Sequence, residues 1–168
     1  MEQISVKEIT ENPVSLIGDQ WMLITAGTKD KFNTMTASWG GIGYLWNKPV
    51  AFIFVRPERY TFGFTEECDF VTLSFLKDGH RKSLNVCGSQ SGRDTDKIAD
   101  AGLAPVATGL GNIYFKEAKL VLECKKLYAD FFDPEKFIEN SPLEKWYGPH
   151  EGGIHKMYIV EIVNVWKQ

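Results

Sequence analysis

The sequence predicts a mainly β protein, an antiparallel barrel with a few inserted helices. Three observations carry this. Runs rich in apolar, β-branched and aromatic residues recur along the chain, separated by short clusters of Gly, Pro, Asn, Asp and Lys. The helical stretches between them are few and do not alternate regularly with the strands, which argues against a doubly wound parallel sheet. About seven such strands would expose apolar edges, and closing the sheet into a barrel removes them.

From Val14 to Val55 the chain reads as consecutive strands: WMLITAG from Trp21, TMTASWGG from Thr34 and VAFIFV from Val50, with TKDKFN and WNKP between them as turns. A helix over Thr61–Glu67 follows the Pro57 turn. Phe70–Phe75 (FVTLSF) is the next strand, and a helix covers His80–Val86. A further helix starts at Asp94 or Thr95 and stops at Asp100, before Gly102. Ala118–Ala129 and His155–Trp166 are the last strands. In the second of these Met157, Ile159 and Glu161 alternate against Tyr158, Val160 and Ile162, and both faces are apolar enough to be buried. Tyr128–Gly153, with its prolines, glycine pair and mixed charges, reads as a long excursion carrying a short helix near Pro142. No repeat, low-complexity tract or dividing linker interrupts residues 1–168, which predicts a single domain.

A chain of 168 residues buries roughly 70% of its unfolded surface and needs no metal or disulfide staple. With 43% hydrophobic and 24% charged residues it is too apolar for a disordered chain. A net charge of −3 has the wrong sign for a protein whose main partner is a nucleic-acid backbone. No stretch approaches 18 apolar residues and the N-terminus lacks a signal-peptide apolar region, so a cytoplasmic protein without membrane contact is expected. Cys68, Cys87 and Cys124 form no C-x-x-C pair and have no His at zinc spacing, which predicts reduced thiols and no metal, with Cys87 a buried spectator.

Gly41-Ile42-Gly43 and Gly109-Leu110-Gly111 lack the third glycine of a dinucleotide loop and read as turns. Gly88-Ser89-Gln90-Ser91-Gly92-Arg93 lacks the Lys-Ser/Thr of a phosphate-binding P-loop, but its open backbone and Arg93 suit an anion. All four arginines, Arg56, Arg59, Arg81 and Arg93, fall between residues 56 and 93, and every other basic residue is lysine. Arginine's rigid fork suits phosphate or carboxylate, so this clustering fits an anion site; pairing with nearby acids on a solvated surface fits it too, and Arg81 reads as surface. Asn33-Thr34-Met35-Thr36-Ala37-Ser38-Trp39 and Arg59-Tyr60-Thr61 combine small hydroxyls with an aromatic ring. Such segments suit a flat heterocycle needing stacking and edge hydrogen bonds, and are also ordinary half-buried sheet. No Ser-His-Asp or Cys-His order is legible, so a hydrolytic nucleophile has no support.

Four blocks together resemble the flavin reductase-like proteins with an FMN-binding split barrel, in particular the flavoredoxin-type branch: NTMTASWG (Asn33 to Gly40), KPVAFIFVRPERYT (Lys48 to Thr61), CGSQSGRDTDK (Cys87 to Lys97) and HKMYIVEI (His155 to Ile162). The resemblance implies an antiparallel split β-barrel, a homodimer with noncovalent flavin at or near the subunit interface, and electron transfer from NAD(P)H. It implies FMN rather than FAD. Position by position, Asn33 and Met35, Thr36, Ala37, Ser38 and Trp39 would border the isoalloxazine ring. Arg56, Arg59, Tyr60 and Thr61 would help hold the ribityl phosphate, and Ser91, Gly92, Arg93 and Lys97 would close over the same cofactor. His155 would lie on the nicotinamide side. Val160 stands where the family commonly has glycine, which would narrow the face on which a second ring stacks. Hydride transfer to a flavin needs no protein nucleophile, so the missing triad accords with the resemblance. Three functions follow: an FMN oxidoreductase passing electrons from NAD(P)H to free flavin or another small acceptor, a flavoredoxin-like carrier serving a protein partner, or a flavin-binding module without turnover.

Overall fold

A computed structural model describes residues 1–149 and 151–168. After a short strand β1 (Glu2–Ile4), Asn12 caps a helical turn α1 (Pro13–Ser15) that continues as a π-turn over Leu16–Gln20. The segment from Val14 to Gln20 is therefore helical and not strand. The signals were an Asn at the N-cap followed by Pro at the first helical position, which satisfy the helix start without a backbone donor.

Four strands follow: β2 (Met22–Thr28), β3 (Lys31–Ala37), β4 (Gly40–Leu45) and β5 (Lys48–Val55). Gly41-Ile42-Gly43, read from sequence as a turn, lies inside β4 and pairs with Val50–Phe52 of β5. Just before them Gly40 is required by close approach, since a Cβ there would come within 2.8 Å of the Phe52 carbonyl oxygen, whereas Gly41 and Gly43 meet only ordinary contacts with the Phe52 ring. Next come α2 (Tyr60–Glu67), β6 (Phe70–Leu76), α3 (Arg81–Ser89) and α4 (Lys97–Asp100), the last capped by Asp96 and stopped at Gly102, whose φ is +64°. A small hairpin of β7 (Pro105–Ala107) and β8 (Ile113–Phe115) turns through Gly109 to Gly111, as the sequence suggested, although its strands are too short to be read from pattern. Strand β9 (Ala118–Phe131) runs into the excursion, which carries α5 (Asn140–Tyr147) around Pro142, and β10 (Lys156–Lys167) closes the chain.

The main sheet is antiparallel, in the order β3-β2-β6-β9-β10-β5-β4, with β1 added to the far end of β10. Its hydrogen-bonded ladder does not close, which corrects the expectation that closure removes every edge. Strands β3 and β4 lie at opposite ends of the order, yet only Ser38 and Trp39 separate them in the chain. Three Cα steps of 3.8 Å hold Ala37 and Gly40 within about 11 Å of each other. The sheet has to curl until its two edges almost meet, and the result is a split barrel.

Both faces are buried, as the alternation in the last strand implied. Ile24, Leu73, Leu122, Val160 and Ile53 point into one apolar cluster, whereas Leu23, Val121, Leu84 and Phe115 pack in a second beneath α3 and the β7–β8 hairpin. Two-sided burial is why these strands read as nearly continuous apolar runs. The β9–β10 ladder shifts register between Ile162 and Asn164. There the fully buried Glu123 accepts hydrogen bonds from Asn164 Nδ2 and Asn112 Nδ2, each at 2.7 Å, and from the Thr108 hydroxyl. This carboxylate ties the bulge to the β7–β8 hairpin with three donors and no cation.

Glu123→Leu would keep volume but strand those three donors. Expected is a loss of about 3 kcal/mol or more in unfolding free energy, seen as a lower denaturant midpoint with an unchanged slope.

Candidate functional site

The split in the barrel opens a cleft of about 280 Å³ lined by Met35, Thr36, Ala37, Ser38 and Trp39 from the end of β3 and the link, by Phe54 and Arg56 from the end of β5, and by Arg59, Trp146, Glu151 and His155. Thr36 and Ser38 also border a second hollow of about 420 Å³ against Trp21, Leu84, Asn85, Gly88 and Ser89. Arg59 and Ser89 reappear on a third of about 90 Å³ together with Glu58, Tyr60, Gln90, Ser91 and Lys97. Shared walls make these one groove, aromatic at the His155 end and cationic at the Lys97 end.

The cationic end rests on how α3 stops. Arg59 donates to the Gly88 carbonyl at 2.7 Å and to that of Cys87 at 3.2 Å, so its guanidinium caps the last turn of the helix, where carbonyls lack partners. Lys97 is only 3% exposed, and among the described residues its ammonium finds a single acceptor, the Gln90 carbonyl at 3.4 Å. Burial pulls its pKa down to about 8; Cys87 opposes that shift and Arg59 adds to it. The buried Cys87 thiol is pushed up to about 11, which keeps it protonated and unreactive. All three cysteines are free. Among the described residues no group of three His, Cys, Asp or Glu side chains is placed to hold a metal ion.

Around this hollow the loop before α4 is held by shape. A Cβ on Gly92 would fall 2.3 Å from Asn33 Oδ1, so only glycine fits over that side chain. Asn33 in turn donates to Thr61 Oγ1 at 2.8 Å, and both residues are buried under the loop and do not line the groove. Arg93 is exposed, lies 4.8 Å from the Tyr60 ring and donates to the Glu58 carbonyl at 3.2 Å. Arg81 stacks 4.0 Å over Trp21, a wall of the second hollow, and donates to the Asp19 carbonyl.

At the aromatic end the excursion folds back across the mouth. Arg56 donates to the Trp146 carbonyl at 2.8 Å and to that of Glu151, and Glu58 accepts the Gly153 N–H. Trp146 meets Trp39 edge-on with centroids 5.0 Å apart, and His155 lies 5.2 Å from Trp39. The Tyr147 hydroxyl is 2.9 Å from His155 Nδ1. Burial, with Arg56 adding and Glu58 opposing, lowers the His155 pKa to about 4, so the imidazole is neutral near pH 7.

The structure thus gathers Met35 to Trp39, Arg56, Arg59 and His155 on one cleft, and Tyr60, Ser91 and Lys97 with Arg59 on the adjoining hollow; Asn33, Thr61 and Gly92 support it from below and Arg93 flanks it. Val160 is fully buried in the interior cluster and does not face the groove, so it narrows nothing there. Sequence reasoning missed Phe54, Trp146, Tyr147 and Glu151. The neighbouring aromatics Trp146 and Tyr147, just ahead of Gly148, Gly152 and Gly153, were the available signal. His150 lies outside the described residues.

Several solved structures share the fold. An FMN-binding domain of a flavin reductases-like enzyme from Shewanella baltica aligns with a TM-score of 0.70 at 15% identity, over 99% of this chain and 76% of that one. Flavoredoxin of Desulfovibrio vulgaris aligns with a TM-score of 0.68 at 22% identity, over 99% and 77%. A Streptomyces globisporus NADH:FAD oxidoreductase, in complex with NAD and FAD fragments, aligns with a TM-score of 0.64 at 16% identity, over 89% and 74%. No curated protein matches the chain by sequence. The family model described as flavin reductase like domain matches residues 14–168, and the chain belongs to that family.

Proposed function

We propose that residues 1–168 work as one FMN-binding oxidoreductase domain, passing reducing equivalents from NAD(P)H through noncovalent flavin to free flavin or another small acceptor. The observation that carries this is the buried, under-partnered Lys97 ammonium at the far end of a groove whose other end is aromatic. A lysine ammonium has three donors, and burying one with a single long hydrogen bond is costly unless an anion completes it. Arg59 and Ser91 beside it suit a phosphate, and the Ser38 hydroxyl with the Trp39 ring suits a flat polar heterocycle, while Thr36 donates its hydroxyl hydrogen to the Leu84 carbonyl. FMN has that phosphate and that ring in one molecule.

Bound flavin would supply the hydride and electron chemistry. The chain's own residues bind and orient. Lys97, Arg59 and Ser91 would hold the phosphate. Met35 to Trp39 would border the ring, with backbone and hydroxyl donors near charge that develops on it. Trp146 and Phe54 exclude water from the cleft, Arg56 keeps the excursion in place, and neutral His155 offers a hydrogen bond at the outer side. Exposed Tyr44 and Trp46 beside edge strand β4 support pairing into a homodimer.

A second reading, a carrier exchanging electrons with a protein partner, is favoured by one feature: the latched excursion with Trp146 covers part of the cleft where a nicotinamide would have to stack. Steady NADH or NADPH oxidation by the FMN-loaded protein with excess flavin supports the reductase. Flavin that cycles chemically but accepts electrons slowly from both nucleotides supports the carrier, and flavin that never cycles leaves a binding module.

Lys97→Met keeps the buried stem and removes the charge. FMN binding should weaken about 10- to 150-fold while riboflavin, which lacks the phosphate, changes little. The exposed Arg93→Ala should cost less. Equal losses for FMN and riboflavin in paired titrations would rule out phosphate recognition by Lys97.

The pH dependence follows from the same group. With its pKa lowered to about 8 in the free protein, Lys97 is charged below that value and must take up a proton to pair with phosphate above it. FMN affinity should therefore fall as pH rises through about 8. It should also fall below roughly pH 6, where the phosphate becomes a monoanion. Riboflavin affinity, measured over the same range, should show neither limb.

A further inference from the structure

Tyr147, at the end of α5, approaches His155 from across the mouth of the barrel, with its ring 5.6 Å away and nearly perpendicular, and its hydroxyl 2.9 Å from Nδ1. Among the described residues that hydroxyl has no other hydrogen-bond partner. Of the two groups the phenol is the stronger hydrogen-bond acid, which favours donation from the Tyr147 hydroxyl to Nδ1 over the reverse. When Nδ1 accepts, a neutral imidazole carries its own hydrogen on Nε2. The ring is neutral around pH 7, as burial and Arg56 dictate. The charged groups facing it are Arg56 and Glu58 from the turn after β5 and Glu151 from the excursion, whereas Lys156 on its own strand turns away to Glu66. His155 is 8% exposed and lines the cleft beside Trp39, so the nitrogen left for a ligand is Nε2.

We propose that Tyr147 is a positioning residue that fixes His155 as a hydrogen-bond donor through Nε2, and that this donor recognises the carbonyl oxygen of a flat ligand resting against Trp39, of the carboxamide, enone or quinone class. The ligand half rests on the oxidoreductase reading above. The tautomer half does not, since it is a property of the chain alone. The arrangement also selects against ligands that present only a donor at that point, because a donor meeting Nε2–H leaves two hydrogens facing each other in a half-closed cleft.

The test begins with the full chain labelled with ¹⁵N at histidine. Long-range ¹H–¹⁵N correlation, with His155 assigned by its loss in His155→Gln, should show the Nε2–H tautomer between pH 6 and 8. Tyr147→Phe should convert it to a tautomer mixture with a changed Nδ1 shift while FMN affinity stays within about twofold, which separates positioning from loss of fold. In FMN-loaded protein, the rate of flavin reduction by NADH should drop about 2- to 10-fold in Tyr147→Phe, the range of one hydrogen bond. An Nδ1–H tautomer in the unaltered chain, or a tautomer ratio unchanged in Tyr147→Phe, overturns the positioning role. The expected tautomer shift with an unchanged NADH rate overturns the donor role. If the unaltered chain shows the Nε2–H tautomer and the variant loses it, but neither is reduced by NADH or NADPH, the positioning role is upheld and the NAD(P)H oxidoreductase reading fails.

Discussion

Two residues, Ser38 and Trp39, impose the shape on which everything else depends. They connect the two outermost strands of a long antiparallel order, and a connection that short leaves the sheet no alternative to curling on itself. The curl creates an interior for one apolar cluster and leaves a seam where hydrogen bonding stops. Backbone and side chains along a seam are free to meet a ligand, which in a closed ladder they are not. The same two residues then form part of the wall of the cleft, so the element that bends the sheet also lines the candidate site.

Two buried ionic groups show how differently the interior treats structure and binding. Glu123 has three donors around it and no exposed surface, a fully satisfied arrangement that fixes a bulge and a hairpin. Lys97 is nearly as deep but has one distant carbonyl. One charge is satisfied by the interior and the other is left short of partners, and the proposed phosphate contact rests on that difference. The arginines divide in a similar way. Arg56 and Arg59 both spend donors on main-chain carbonyls, one to hold the excursion and one to finish a helix, so the rigid fork serves the scaffold of the candidate site.

Much of the fold could be read from the chain because β2, β5, β6, β9 and β10 are buried on both faces, which writes uninterrupted apolar runs between turn clusters. Strand β4 could not, since close approach of the Phe52 carbonyl requires glycine where a strand would ordinarily carry bulk, and glycine reads as a turn. The first helical turn was hidden by Val14, Leu16 and Ile17, which look like strand; Val14 is exposed on the helical turn, and the π-turn buries Leu16 and Ile17. At the candidate site, the clustering of arginine drew attention to residues 56–93 without saying which cation is buried with few partners. That distinction belongs to Lys97, whose burial is a tertiary fact. Phe54, Trp146 and Glu151 were equally out of reach, because the excursion's return to the barrel mouth is set by Arg56 and Glu58 bonding to backbone groups nearly a hundred positions away.

The excursion returns to the mouth on α5, none of whose residues is buried; hydrogen bonds from Arg56 and to Glu58, Trp146 against Trp39, Tyr147 against His155 and Phe132 stacked on Phe54 hold it there. Two indoles held 5.0 Å apart at 77° couple their electronic transitions, and coupling of that kind produces a paired positive and negative band in ultraviolet circular dichroism. The pair thereby reports on its own geometry without dye or label, since any change in the distance or angle between the two rings alters that couplet.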